Sequence, residues 1–193
     1  MNYAPSITKE EISELPVEMF SGQIIVIDKI EAIKDALSDL STFQYVGFDT
    51  ETRPNFSKKQ HHKVSLIQLS TNDVCYLFRL NKLGGIPTPL IDFFKDKNIT
   101  KIGLSLLDDF HAIRKLTDFE PANFVDLQKF VPVFGIEDAS LQKIYAILFG
   151  KKISKKSRLT NWETDELTEA QQRYAALDAW ACLRIYQHLN QSR

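Results

Sequence analysis

Two rhythms of apolar and polar positions divide the chain. In the first half, short runs rich in β-branched and aromatic residues dominate: Gln23–Ile27, Tyr45–Glu51, Val64–Ser70 and Val74–Phe78. Each reads as a strand. Thr71-Asn72-Asp73 is turn-like and joins the last two runs into a hairpin, to which the Tyr45 run can add as a third antiparallel strand. Lys29–Leu40 instead places Ile30, Ile33 and Leu37 at helical spacing. From Pro89 onward helix alternates with strand: helix over Leu90–Lys97, strand over Ile99–Leu104, helix over Leu106–Leu116, strand over Asn123–Leu127, then helices over Leu127–Val131, Leu141–Phe149 and Leu167–Asn190. Hairpin strands first and parallel β-α units afterwards predict an α/β fold, a mixed sheet with an antiparallel hairpin and parallel strands flanked by helices. Residues 1–22 read as an N-terminal adaptor segment, with a short helix near Lys9–Leu15 ended by Pro16, and residues 23–193 as one domain.

Composition adds bounds. A chain of 193 residues with 44% hydrophobic and 25% charged positions is an ordinary globular length and mixture. No apolar run approaches the roughly 18 residues of a membrane span, and the N-terminus lacks a basic-then-apolar signal pattern. No membrane association and a cytoplasmic location are therefore expected. Cys75 and Cys182 are too few and too scattered for a disulfide framework or a structural zinc site, and read as small core residues. The formal net charge of −1 gives no global attraction to a polyanion, so a nucleic-acid site has to be a local patch. Two such patches exist. Lys58, Lys59, His61, His62 and Lys63 follow the Tyr45 run and read as a solvated loop. Lys151, Lys152, Lys155, Lys156 and Arg158 stand in the long irregular stretch Gly150–Glu166; they are either a solvated charge run or a loop that contacts substrate phosphates.

Candidate chemistry begins where the Tyr45 run ends. Strand alternation puts Val46, Phe48 and Thr50 on one face and Gly47, Asp49 and Glu51 on the other, so the two carboxylates share a face roughly 6.5–7 Å apart along the strand. Carboxylates held that close repel unless a proton or a cation lies between them. In the last helix Tyr174, Asp178, Ala181, Ile185 and Leu189 form one stripe, otherwise apolar, which directs Asp178 inward with Tyr174 one turn before it. A buried carboxylate needs a partner or a metal. Asp109 stands at the edge of its own helix's apolar face with Ile113 and Leu116, while Asp108 is rotated by about 100° toward solvent.

These positions, in this order, resemble the DEDDy group of 3′–5′ exonucleases. Val46-Gly47-Phe48-Asp49-Thr50-Glu51 is similar to the group's first motif, Gly103-Leu104-Ser105-Leu106-Leu107-Asp108-Asp109 to the second, and Tyr174-Ala175-Ala176-Leu177-Asp178-Ala179-Trp180 to the third. Further similarity lies in Val64-Ser65-Leu66-Ile67-Gln68-Leu69, Val125-Asp126-Leu127 and Leu159-Thr160-Asn161-Trp162. The resemblance implies an RNase H-like fold and a two-metal phosphodiesterase. On it, Asp49 bridges two Mg²⁺ or Mn²⁺ ions, Glu51 and Asp178 hold the ion that activates water, Asp109 supports the other ion, and Tyr174 orients the water. Nucleic acid, DNA or RNA, with a free 3′ end is the implied partner, and nucleoside 5′-monophosphates are the implied products. Two other readings stand beside it: an inactive binding or interaction module on the same fold, which would be expected to lack a metal carboxylate, and an oxygen-ligand metalloenzyme acting on a different phosphoester.

Overall fold

The computed structural model describes residues 3–57, 61–118 and 120–191. Six strands form one sheet: β1 (Gln23–Ile27), β2 (Tyr45–Thr52), β3 (Val64–Ser70), β4 (Val74–Arg79), β5 (Thr100–Gly103) and β6 (Phe124–Asp126). Their spatial order is β1-β4-β3-β2-β5-β6. The central trio β4-β3-β2 is antiparallel, with β2 paired to β3 and β3 to β4, as the hairpin signal predicts. The flanks are parallel: β1 beside β4, β5 beside β2, and β6 beside β5. Parallel addition of β1 at the hairpin's far edge leaves no local trace in the sequence, because the partners are joined by no short turn.

Eight helices complete the described chain: α1 (Lys9–Glu14), α2 (Ile33–Leu40), α3 (Leu80–Leu83), α4 (Thr88–Lys95), α5 (Leu106–Arg114), α6 (Leu127–Phe130), α7 (Leu141–Phe149) and α8 (Glu169–Gln191). Single 3-10 turns precede α2 and follow α6. The sheet therefore has a core on each face. On one, Leu66, Leu77 and Ile102 meet Ala175, Cys182 and Leu183 of α8 and Ile144 and Tyr145 of α7. On the other, Val46, Phe48, Ile67 and Leu69 meet α2, α4 and α5. Alternation along β2 and β3 sends successive side chains into these two cores, which is why β3 is buried along its whole length.

Two local details fix the helices that matter for the site. Gly47 lets α8 touch the sheet: a Cβ there would lie 1.9 Å from the Ala179 carbonyl oxygen. Thr168 and Gln171 start α8 with reciprocal bonds, Gln171 N–H to Thr168 Oγ1 at 3.2 Å and Thr168 N–H to Gln171 Oε1 at 3.0 Å, so the helix begins at Glu169 and not at Leu167. The segment before β1 is packed onto the domain. Phe20 is buried against Trp180, with ring centroids 5.7 Å apart, and Val17 forms a parallel bridge with Lys152. Among the described residues no helix is long and apolar enough to cross a membrane.

Candidate metal centre

The end of β2 gathers the acids. Asp49, Glu51 and Asp178 each present a carboxylate oxygen within 4.8 Å of the others. Asp49 and Glu51 arrive on the α8 face by strand alternation, and Asp178 descends onto them because Gly47 admits the helix backbone. Glu51 and Asp178 are buried, 8% and 7% exposed, and Asp178 Oδ1 has no hydrogen-bond partner among the described residues.

Asp109 comes from the other side. It sits in the first turn of α5, and its Oδ1 accepts a hydrogen bond from the Thr50 hydroxyl at 2.5 Å. Thr50 points to the face opposite Asp49, so Asp109 meets β2 from the α5 side and lies outside the close trio. Asp108 beside it is exposed, as helix phase predicts. The start of α5 is fixed by Asp126 at the end of β6, whose carboxylate accepts from the N–H groups of Ser105 and Leu106 at 3.1 Å each. Gly103 makes room for that turn, since a Cβ there would meet Leu106 Cδ2 at 2.5 Å.

Four carboxylates in so little water cannot all ionise. Burial, followed by the charges of Asp178, Asp109 and Glu51, holds the Asp49 carboxyl well above the usual range. Burial and the Asp178 charge push Glu51 up to about 9, against a pull downward from Arg158. Burial raises Asp109 and Asp178 to about 7 each; Thr50 opposes the shift of the first, and Tyr174, Lys155 and Arg158 that of the second. The Tyr174 phenol is itself driven upward, first by burial and then by Asp178, Glu51 and Asp49. It stays protonated and acts as a donor. Its ring leans on buried Trp162, with centroids 6.1 Å apart.

An all-oxygen set of this charge suits hard divalent cations such as Mg²⁺ or Mn²⁺. The partnerless Asp178 oxygen and the raised carboxyls fit that occupant, because a cation relieves both at once. Asp49, Glu51 and Asp178 open into a cleft of about 370 Å³ whose walls include Leu104, Ser105, Gln128, Leu141, Gln142 and Ile153, together with Lys155 and Arg158.

The basic run divides at this cleft. Lys155 and Arg158 line it, and their charges bear on Asp178. Lys156 faces a separate apolar hollow beside Val17, Met19 and Leu177. Lys151 pairs with Glu18 at 3.1 Å and Lys152 bonds the Ser13 carbonyl, so both ammonium groups are taken up by the N-terminal segment. In the second basic patch His61 and Lys63 are exposed, as a solvated loop requires, and His62 is half-buried. His62 Nδ1 lies 3.3 Å from Glu163, which Arg53 also contacts at 3.2 Å; Lys58 and Lys59 lie outside the described residues. Arg79, buried at the end of β4, donates to the carbonyls of Thr164 and Asp165. The loop that carries Lys155 and Arg158 is thus pinned at both ends. Sequence reasoning assigned no role to Thr50, Asp126 or Arg79. The first two stood inside or beside recognisable motifs, whereas nothing around Arg79 marks it.

Comparison with known proteins agrees with this geometry. The family described as 3′–5′ exonuclease matches residues 24–192. The mouse bifunctional 3′–5′ exonuclease/ATP-dependent helicase WRN is 32% identical over 184 residues, covering 91% of this chain and 13% of the mouse protein. An Arabidopsis thaliana 3′–5′ exonuclease is 30% identical over 196 residues, covering 90% of this chain and 66% of the plant protein. The chain thus spans part of the length of either relative. Among solved structures, the Aedes aegypti Nibbler EXO domain superposes with a TM-score of 0.76 at 24% identity, covering 91% of this chain and 92% of that domain. Trypanosoma brucei RNase D in complex with RNA U12 superposes with a TM-score of 0.76 at 20% identity, covering 88% of this chain and 63% of that one. The mixed sheet with its flanking helices is the RNase H-like fold of these neighbours. With acids in three ordered motifs and the family match across almost the whole domain, the chain belongs to the 3′–5′ exonuclease family, in its DEDDy group.

Proposed function

We propose that this chain hydrolyses phosphodiester bonds at the 3′ end of DNA or RNA, releasing nucleoside 5′-monophosphates with the help of two Mg²⁺ or Mn²⁺ ions. The observation that carries this reading is that Asp49, Glu51 and Asp178 bring carboxylate oxygens within 4.8 Å of one another in the lining of an open cleft, Asp178 with a buried Oδ1 that has no partner among the described residues. Asp49, Glu51 and Asp178 would hold the cations, with Asp109 supporting from the α5 face. Bound there, such ions supply Lewis acidity, lowering the pKa of water and neutralising charge on the phosphate oxygens.

The protein's own groups do the rest. Tyr174 stays protonated and positions the attacking water through its hydroxyl, since a phenol raised above its ordinary value is no base at neutral pH. Water attacks phosphorus, the bond from phosphorus to the 3′ oxygen breaks, and that oxygen takes up a proton. Lys155 and Arg158 stand at the cleft wall, where they offset the charge of the scissile phosphate. Leu104, Leu141 and Ile153 give the terminal nucleotide an apolar wall. That the RNase D neighbour was solved with RNA U12 supports a nucleic acid as the occupant of this cleft.

The test is cleavage of 5′-labelled single-stranded DNA and RNA, with Mg²⁺, with Mn²⁺ and with chelator. A ladder shortening from the 3′ end, mononucleotides as product and no cleavage in chelator are expected. Internal cuts, or no cuts with either ion, would overturn the proposal.

A further inference from the structure

Gln68 is a polar residue where the fold calls for an apolar one. It lies in the middle of β3, the most enclosed strand of the sheet, and is 0% exposed. Neither its amide oxygen nor its amide nitrogen has a hydrogen-bond partner among the described residues. An amide buried in that condition is costly, and Leu66 or Ile67 beside it show what side chain the strand otherwise uses.

The register says which group the amide serves. Gln68 stands opposite Asp49 on β2 and opposite Leu77 on β4. Alternation along β3 puts Ile67 and Leu69 in the core under α2 and α4, and Leu66 in the core under α8. Gln68 shares the face of Leu66, which is also the face of Asp49. Residues directly opposite on antiparallel strands have Cβ atoms about 4.5–5.5 Å apart, a gap a glutamine side chain spans. Its other neighbours offer less: Leu77 is apolar, and the Ser70 hydroxyl, which donates to the Thr71 carbonyl at 2.9 Å, is left only to accept.

We propose that Gln68 is a positioning residue of the metal centre, its unpartnered amide N–H turning to donate to the Asp49 carboxylate when a cation occupies the site and fixing the orientation in which Asp49 ligates. The inference rests on the metal-dependent reading above. A carboxylate ligand with one oxygen held from behind presents the other to the cation, and removal of such a supporting partner typically weakens metal affinity about 10–100-fold.

Gln68→Met tests it, since methionine matches the length and shape while deleting both polar amide atoms. Titration with Mn²⁺ alone, followed by calorimetry, should show affinity about 10–100-fold weaker than the parent. Melting in chelator should be at the parental temperature or above, because no buried amide remains to be satisfied. Cleavage at saturating Mn²⁺ should show reduced turnover with an unchanged Michaelis constant for the oligonucleotide. In the Asp49→Asn background, Gln68→Met should change Mn²⁺ affinity less than in the parent, because the two residues act as one unit. Parental Mn²⁺ affinity in Gln68→Met overturns the proposal, and so does an equal loss in both backgrounds. If neither Gln68→Met nor Gln68→Leu folds, the amide belongs to the fold's own bonding and the proposal is likewise overturned. Absence of Mn²⁺ binding by the parent would instead overturn the metal-dependent reading itself.

Discussion

The two faces of β2 hold the same kind of side chain in different ways. On the α8 face Asp49, Glu51 and Asp178 crowd together, and Tyr174, Lys155 and Arg158 offset only part of the cost. On the α5 face Asp109 is satisfied in advance by the Thr50 hydroxyl. A carboxylate already held by a neutral donor is oriented but only partly free to ligate. One without a partner is free but strained. The first face offers the kind of site a cation would relieve, and the second presents an acid at a fixed place.

The strongest way to break this contrast is to remove its centre. Asp49→Asn should keep the fold and lower turnover on the order of a thousandfold, comparable to removal of a central electrostatic stabiliser; single-turnover cleavage at saturating metal checks it, and a decrease under tenfold would contradict it. The same variant exposes the strain. Glu51 at about 9, Asp178 at about 7 and the raised Asp49 all bind a proton more tightly folded than unfolded. Without metal, their contribution to stability is therefore full below about pH 4 and is lost as pH rises through about 7 to 9. In chelator, Asp49→Asn should melt above the parent, by a margin that widens between about pH 5 and pH 9. A margin that stays constant or narrows would mean that Asp49 does not carry the repulsion.

Next in size is Tyr174→Phe, which deletes only a hydroxyl from the α8 face. Turnover should fall by about ten- to a thousandfold while Mn²⁺ affinity stays near parental, whereas Asp178→Asn should lower both. Calorimetry paired with single-turnover kinetics separates them; equal weakening of metal binding would end the water-positioning role of Tyr174. On the opposite face, Thr50→Val frees Asp109 from its donor while keeping the strand's shape. A drop in turnover of about tenfold, smaller than that of Tyr174→Phe, is expected, because the change removes a ligand's supporting hydrogen bond and leaves every primary ligand in place. If Thr50→Val matches Asp49→Asn in severity, the division between the faces is wrong.

The smallest effect concerns the basic run, which repeats the contrast on the cleft's rim. Lys155→Ala with Arg158→Ala should raise the Michaelis constant several-fold and flatten its dependence on salt, by about one unit of slope for each phosphate no longer neutralised. Lys151→Ala with Lys152→Ala should leave the salt slope unchanged and lower the melting temperature, since these side chains tie the Gly150 loop to Glu18 and Ser13. Salt titration of the Michaelis constant for both pairs decides it.

What the sequence determined by itself is whatever a local period can write. Alternation placed Asp49 and Glu51 on one side of β2, and the helical stripe of Tyr174, Asp178 and Ile185 turned Asp178 inward. Helix phase set Asp109 apart from Asp108, and the turn at Thr71-Asn72-Asp73 announced the antiparallel trio. Tertiary structure alone decided which neighbour each charge finds. Lys151 and Lys155 are both exposed lysines in one loop, yet Lys151 meets Glu18 from the far end of the chain and Lys155 lines the cleft. Thr50 meets Asp109 across 59 positions, and Gln68 faces Asp49 only through strand register. Charge runs and isolated polar residues carry no period, so their partners are set by long-range packing, and no window of sequence short enough to read holds both members of such a pair.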